Sequence, residues 1–160
     1  MAADIFLKIG DIKGESTDSK HKDEIELLAW SWGVTQSGSM AAGGGGGTGK
    51  ASFSDFSFTH FVDKASPTLL KACATGEHIK EATLTARKAG KVQEEFLIYK
   101  MEDVLITGVT PSGNGSDGGL VENVSFQFAK VDLEYKGQKA DGSLDAGIKF
   151  KYDIKANKEG

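Results

Sequence analysis

Alternation with a period of two runs through most of this chain, and no other feature constrains its fold as strongly. Ile5, Leu7 and Ile9 share one face of a first strand, opposite Phe6 and Lys8. Trp30 and Trp32 share a face of the next, with Ser31 and Gly33 turned the other way. Phe56, Phe58 and His60 alternate with Ser57 and Thr59, and Ala82, Leu84 and Ala86 with Thr83, Thr85 and Arg87. Val124, Phe126 and Phe128 repeat the pattern, and Ile148, Phe150, Tyr152 and Ile154 end it. Strands of this kind bury one face and leave the other wet. The phase changes twice. Phe53 is out of step with Phe56, and Val131, Leu133 and Tyr135 are out of step with Phe128. Each change predicts a β-bulge or a sharp bend.

Between the strands lie a polar loop over Asp11–Asp23, a tight turn at Ala89-Gly90-Lys91, a hairpin over Pro111–Gly119 and a turn-rich loop over Gly137–Gly147. One segment breaks the alternation. Ser66 suits an N-cap, Pro67 the first helical position and Gly76 the C-terminal glycine, while Leu69, Leu70, Cys73 and Ala74 form a short apolar stripe. About seven strands with one flanking helix predict a mainly β protein, an antiparallel barrel or sandwich. Two expected segments, Gln93–Thr110 and Leu120–Tyr135, exceed the usual strand length of about five or six residues. Long antiparallel strands need guarded edges, supplied by closure within one subunit or by packing between subunits in a ring.

The 160 residues fit a single domain, 1–160. A net charge of −4 with interspersed lysines and acids gives no basic field for nucleic acid or anionic lipid. Cys73 is the one cysteine, which excludes an internal disulfide framework. No apolar run approaches the ~20 residues of a membrane span. Met1-Ala2-Ala3 leads straight into Asp4 and a strand, without a secretory leader pattern. The expectation is a chain made and folded in the cytoplasm, whose export would need a route independent of a signal peptide.

Catalytic signals are weak. Cys73 with His60 or His78 could form a thiol–imidazole pair, but the cysteine sits on the apolar stripe, where it acts as a small hydrophobe. His21, His60 and His78 have no metal-ligand spacing. Gly44–Lys50 follows a P-loop pattern only as far as the lysine, since Ala51 stands where a Ser or Thr should bind magnesium, and a strand follows. Trp30 and Trp32 could stack bases or sugars in a monomeric ligand-binding barrel, but alternation with Ser31 favours a core role. No catalytic residue, cofactor or metal is expected. The loop Ser37–Gly49, with its run Gly43–Gly47, is far longer than a hairpin needs, and long loops on β scaffolds often carry function.

Several stretches resemble one family. Phe6–Ser16, Ala29–Met40 with the glycine run behind it, and Phe58–Pro67 entering the helix are similar to the haemolysin-coregulated protein (Hcp) family. So are Arg87-Lys88-Ala89-Gly90, Glu122-Asn123-Val124 and Gln138–Gly142, in order along nearly the whole chain. The resemblance implies a tube subunit of the bacterial type VI secretion system, with a fold like that of phage tail tubes. Such subunits form hexameric rings that stack into a hollow secreted tube, pushed out behind a spike by a contractile sheath and carrying effector proteins in its lumen. A phage-derived tail-tube subunit is the neighbouring alternative. On this resemblance Ser31, Gly33 and Thr35 are the expected lumen and cargo contacts. The expected ring-stacking loop includes Ser39, Met40, Gly43, Gly44, Gly45, Gly46 and Gly47.

Overall fold

A computed structural model describes residues 2–38, 50–116 and 118–160. In chain order its elements are β1 (Ala3–Ile9), β2 (Ile25–Glu26), β3 (Ala29–Ser31), β4 (Val34–Gln36), β5 (Ala51–Phe53), β6 (Phe56–Phe61), α1 (Ala65–Thr75), β7 (His78–Lys88), β8 (Glu95–Gly113), β9 (Leu120–Gln127), β10 (Lys130–Tyr135), β11 (Ile148–Asp153) and β12 (Lys158–Glu159). Every strand pairing among them is antiparallel. The expected architecture of antiparallel strands with one flanking helix is the one observed.

The 19-residue β8 belongs to two sheets. Its first half lies between β7 and β10, and this first sheet runs β12-β11-β10-β8-β7-β1-β2. Asp103 then adopts a left-handed φ of 57°, and β8 goes on to pair with β9 in a second sheet completed by β6 and β3. The two sheets meet again through the segment 25–31. Its first residues pair with β1, the Leu27 N–H donates to the Ile5 carbonyl at 2.9 Å, the Leu28 N–H donates to the Thr59 carbonyl at 2.8 Å, and β3 pairs with β6. The strands therefore do not close into an unbroken barrel; at this side the two layers are joined only by one crossing segment.

Both phase changes have structural causes, of different kinds. Ser31 pairs with Ser57 and Val34 with Phe53, so three steps on one strand face four on the other. The extra residue at Ser54–Asp55 is the expected bulge, and it keeps Phe53 and Phe56 on the same side. The second change is not a bulge. The expected strand Leu120–Tyr135 breaks at Phe128–Ala129, where the chain leaves the second sheet as β9 and enters the first as β10.

Between the sheets lies one apolar core that includes Leu7, Phe56, Phe58, Leu84, Met101 and Phe126. Trp30 stacks on Phe56 with ring centroids 5.6 Å apart and meets the edge of Tyr99 at 5.0 Å, and Trp32 stacks on Phe53 at 5.6 Å. Both tryptophans are half-buried packing residues, as their alternation with Ser31 predicts. The helix begins two residues earlier than expected, at Ala65 and not Pro67, and Ser66 is not its N-cap. Instead the Asp63 carboxylate accepts the Ala65 N–H at 2.8 Å while the Asp63 N–H donates to the Ser66 hydroxyl at 3.1 Å, a reciprocal cap. Ala65, Leu69 and Ala72 face the core at i, i+4 and i+7, with Cys73 half-buried against it. Leu70 and Ala74, assigned to the stripe by sequence, are exposed. Gly76, at φ 65°, ends the helix as expected.

The polar Asp11–Asp23 segment is not a free loop. It lies against the outer face of β1 and β7, where the buried Arg87 guanidinium donates to both carboxylate oxygens of Asp18 (2.9 Å from Nη1 to Oδ1) and sits 4.8 Å above the Phe6 ring. His21 stacks on the same ring at 4.5 Å and bonds to Glu24 and Glu95. Gly14 admits no side chain here, because a Cβ would lie 2.5 Å from the Glu24 carbonyl oxygen.

The hydrogen bond from Arg87 lowers the Asp18 carboxyl from 3.8 to about 2. A depressed carboxyl stabilises the fold above its unfolded value, and that contribution is lost as pH falls through the folded value. Asp18→Asn should therefore melt lower than the parent at pH 6, and the gap should shrink between about pH 4 and pH 2. Thermal melts across that range check it; a gap that stays constant would show that the carboxylate charge plays no part.

Candidate channel wall and assembly edges

The outward face of the second sheet is set by alternation against the aromatic core. With Phe56, Phe58, Val124 and Phe126 buried inside, the other phase of each strand must point out. Cross-strand register arranges these residues in rows. Ser31, Ser57 and Ser125 form one row, and Ala29, Thr59, Asn123 and Thr110 form the next. Thr59 donates to the Asn123 side-chain oxygen at 2.6 Å, and Thr107 lies 3.0 Å from Ser125. These rows carry no lysine or arginine. The carboxylate Asp55, at one end, accepts from Thr107 at 2.7 Å and from Gln127 at 3.0 Å. Small hydroxyls that bond to one another present a smooth, wetted surface with both donors and acceptors.

Ser31, Gly33 and Thr35 all fall on this face and are exposed. Ser31 lies opposite Ser57, Gly33 receives the Ser54 hydroxyl against its backbone, and Thr35 lies opposite Ser52. The face is wider than those three residues. Ser57, Thr59, Thr107, Asn123 and Ser125 belong to it, and they were recognisable as the polar phase of their strands. What the sequence lacked was the pairing that sets β6 beside β9. The expected stacking residues Ser39, Met40 and Gly43–Gly47 lie outside the described residues, as does most of the P-loop-like stretch.

The sheet has two open sides. Among the described residues, no strand pairs with the outer edge of β3 and β4, or with β8 beyond Thr107 on the side away from β9. Pro111 fits the second of these, since an edge strand tolerates a residue without an N–H. Behind the wall, His60 Nε2 lies 2.9 Å from Glu122 Oε1, with both side chains almost fully buried. The Asp63 carboxylate lies 3.9 Å from His60 Nδ1, and burial raises its pKa. His60 and His21 are thus both engaged by carboxylates, while His78 is exposed on the surface. Among the described residues no group of three His, Cys, Asp or Glu side chains could hold a metal ion, and no helix is long and apolar enough to cross a membrane.

Removing one partner of a buried hydrogen bond leaves the other unsatisfied, at a cost of about 1–3 kcal/mol and more where a charged group is involved. His60→Leu should destabilise the fold by at least roughly that amount, and His60→Leu combined with Glu122→Leu should recover much of the loss. Denaturant melts of the single and double variants decide it; additive losses would mean that the two groups do not act as a pair.

The family described as "Type VI secretion system effector, Hcp" matches residues 6–135. The chain is 50% identical over 159 residues to protein hcp1 of Pseudomonas aeruginosa, covering 98% of each. The crystal structure of Hcp1 from Salmonella typhimurium superimposes with a TM-score of 0.82 at 41% identity, covering 99% of both chains. A structure described as a type six secretion system protein gives a TM-score of 0.93 at 31% identity, with 99% of this chain and 100% of that one aligned.

Proposed function

Since the chain belongs to the Hcp family and is a structural subunit of the type VI secretion system, we propose that six copies close into a ring around the hydroxyl-lined face, that rings stack into a hollow tube, and that effectors travel inside it. The whole chain acts as one tube domain. One observation carries this reading: a hydroxyl-rich polar wall whose rows carry no lysine or arginine, bounded on both sides by open strand edges. Two different edges on opposite sides of one sheet make a heterologous contact, and such contacts close into rings when the rotation permits. A face of small side chains keeps a channel wide.

The contractile sheath, the spike and secreted effectors are the partners in this reading, with no nucleic acid and no insertion into a membrane. The protein leaves the cell through the apparatus itself. Ser39, Met40 and Gly43–Gly47 are proposed to contact the next ring, a role that rests on the family resemblance and on the ease with which glycine fits against a neighbour's backbone. The role is structural, not enzymatic.

Native mass spectrometry at micromolar concentration should show a hexamer; a monomer at every concentration would overturn the ring. Ser31→Gln should leave the ring intact, because no core residue changes, while symmetry repeats the longer side chain once per subunit in a band around the channel. Co-purification of a small effector with Ser31→Gln rings should then fall several-fold. Undiminished recovery would move cargo recognition to other rows of the wall.

A further inference from the structure

The hairpin that joins β8 to β9 carries a group that the channel wall does not use. Gly113 and Leu120 are the last paired residues, so Asn114-Gly115-Ser116 lies beyond the ladder, exposed to water. The Asn114 amide is held in one geometry. Its Oδ1 accepts the Ser116 N–H at 3.0 Å and the Ser116 hydroxyl at 2.7 Å. Two donors on one carbonyl oxygen draw electron density from Cγ and would stabilise an oxyanion formed there. The next backbone nitrogen belongs to Gly115. Among the described residues, no atom beyond its chain neighbours lies within 4 Å of the place a Cβ would take at Gly115.

The chain has two other asparagines, and both stand in different surroundings. Asn123 lies inside β9, where its Oδ1 accepts the Thr59 hydroxyl at 2.6 Å. The residue after it is the buried, β-branched Val124, paired with Phe58 on one side and Val109 on the other. Asn157 accepts the Tyr152 hydroxyl at 2.8 Å and precedes Lys158, which pairs with Asp153. At both positions a side chain crowds the following nitrogen and strand pairing fixes the backbone. Asn114 alone combines a doubly polarised amide, a glycine after it and a place outside the ladder.

We propose that Asn114 is a self-modifying site, at which the chain converts a neutral amide into a carboxylate without an enzyme. A base in solution removes the Gly115 amide proton, and the nitrogen attacks Asn114 Cγ. An N–C bond forms, and the resulting oxyanion is held by the two Ser116 donors. The Cγ–Nδ2 bond then breaks, and ammonia leaves with a proton from solvent. The cyclic imide that remains takes up one water. Opening at the side-chain carbonyl gives aspartate; opening at the backbone carbonyl gives isoaspartate, in which the main chain runs through the side chain. One water is consumed and one ammonia released, with nothing oxidised or reduced. Each event adds one negative charge to a chain of net charge −4. The fold accepts it, because the change falls beyond the paired Gly113 in a surface connection, where an extra methylene costs little. The row Phe61–Val121–Ser112 ends the wall beside this hairpin. In the proposed ring the new charges would therefore gather at that end of the channel, once per subunit, although the modification itself needs no ring.

Peptide mapping of the purified full chain, stored in mildly alkaline buffer, tests the assignment. The peptide that carries Asn114 should gain one dalton, in two forms of equal mass that separate on a column, and fragmentation should place the change at Asn114 and not at Asn123. In water labelled with oxygen-18, each product should carry one heavy oxygen. Gly115→Ala, which fits without a clash, should slow the conversion at least tenfold by crowding the attacking nitrogen. Ser116→Ala should slow it several-fold with the melting temperature unchanged. A chain that stays unmodified at Asn114 on prolonged storage would overturn the proposal, as would earlier conversion at Asn123 or Asn157. Aspartate as the sole product would overturn the cyclic route, and a parental rate in Ser116→Ala would overturn the part given to the hydroxyl. Asn114→Asp, which carries the charge from the start, should melt with the parent; a lower melting temperature would overturn the placement of the site in a tolerant connection.

Discussion

The fold depends on a single strand that is shared between two sheets. In its first half β8 is the central strand of one layer, paired on both sides; past Asp103 it is the edge of the other. Backbone hydrogen bonds are obligatory wherever a strand is buried, so this arrangement fixes the two layers relative to each other before any side chain is considered. The aromatic cluster then fills the angle between them, with Tyr99 from the first half of β8 meeting Trp30, Trp32 and Phe56 from the second sheet. Aromatic rings suit this position because they cover a large area with few rotatable bonds.

The same strand creates the molecule's open side. By leaving the first sheet, β8 exposes a backbone edge and the core-side faces of Val109 and Pro111, while at the opposite side no strand among the described residues pairs with the outer edge of β3 and β4. Free edges are an aggregation hazard in a monomer. In a subunit they are connectors, provided each is matched to the other and to nothing else.

Polar groups inside the fold hold the helix and the long first loop against the sheet. Asp63 caps α1 and faces His60, which bonds to Glu122 on the neighbouring strand. Arg87, Asp18 and His21 clamp the long first loop across β1 and β7. Both devices lie away from the hydroxyl-lined face, so the proposed channel wall is free of structural charge pairs. That separation leaves the rows of the wall to small hydroxyl and amide side chains, with Asp55 at one end.

Sequence alone determined the strand faces, the single helix, the bulge at Ser54–Asp55 and the outward direction of Ser31, Gly33 and Thr35. All of these follow from local periodicity and from the conformational limits of glycine and proline, which act within a few residues. It also carried the family resemblance, because motifs survive in order along the chain. It misplaced the helix cap by assigning it to Ser66, since Asp63 and Ser66 bond reciprocally and either could have led. It read β9 and β10 as one strand, because a corner between sheets and a bulge produce the same one-residue phase change. Which rows of side chains stand together and which edges remain open were decided by tertiary structure. Those properties come from pairing between residues distant in the chain, and periodicity carries no information about partners.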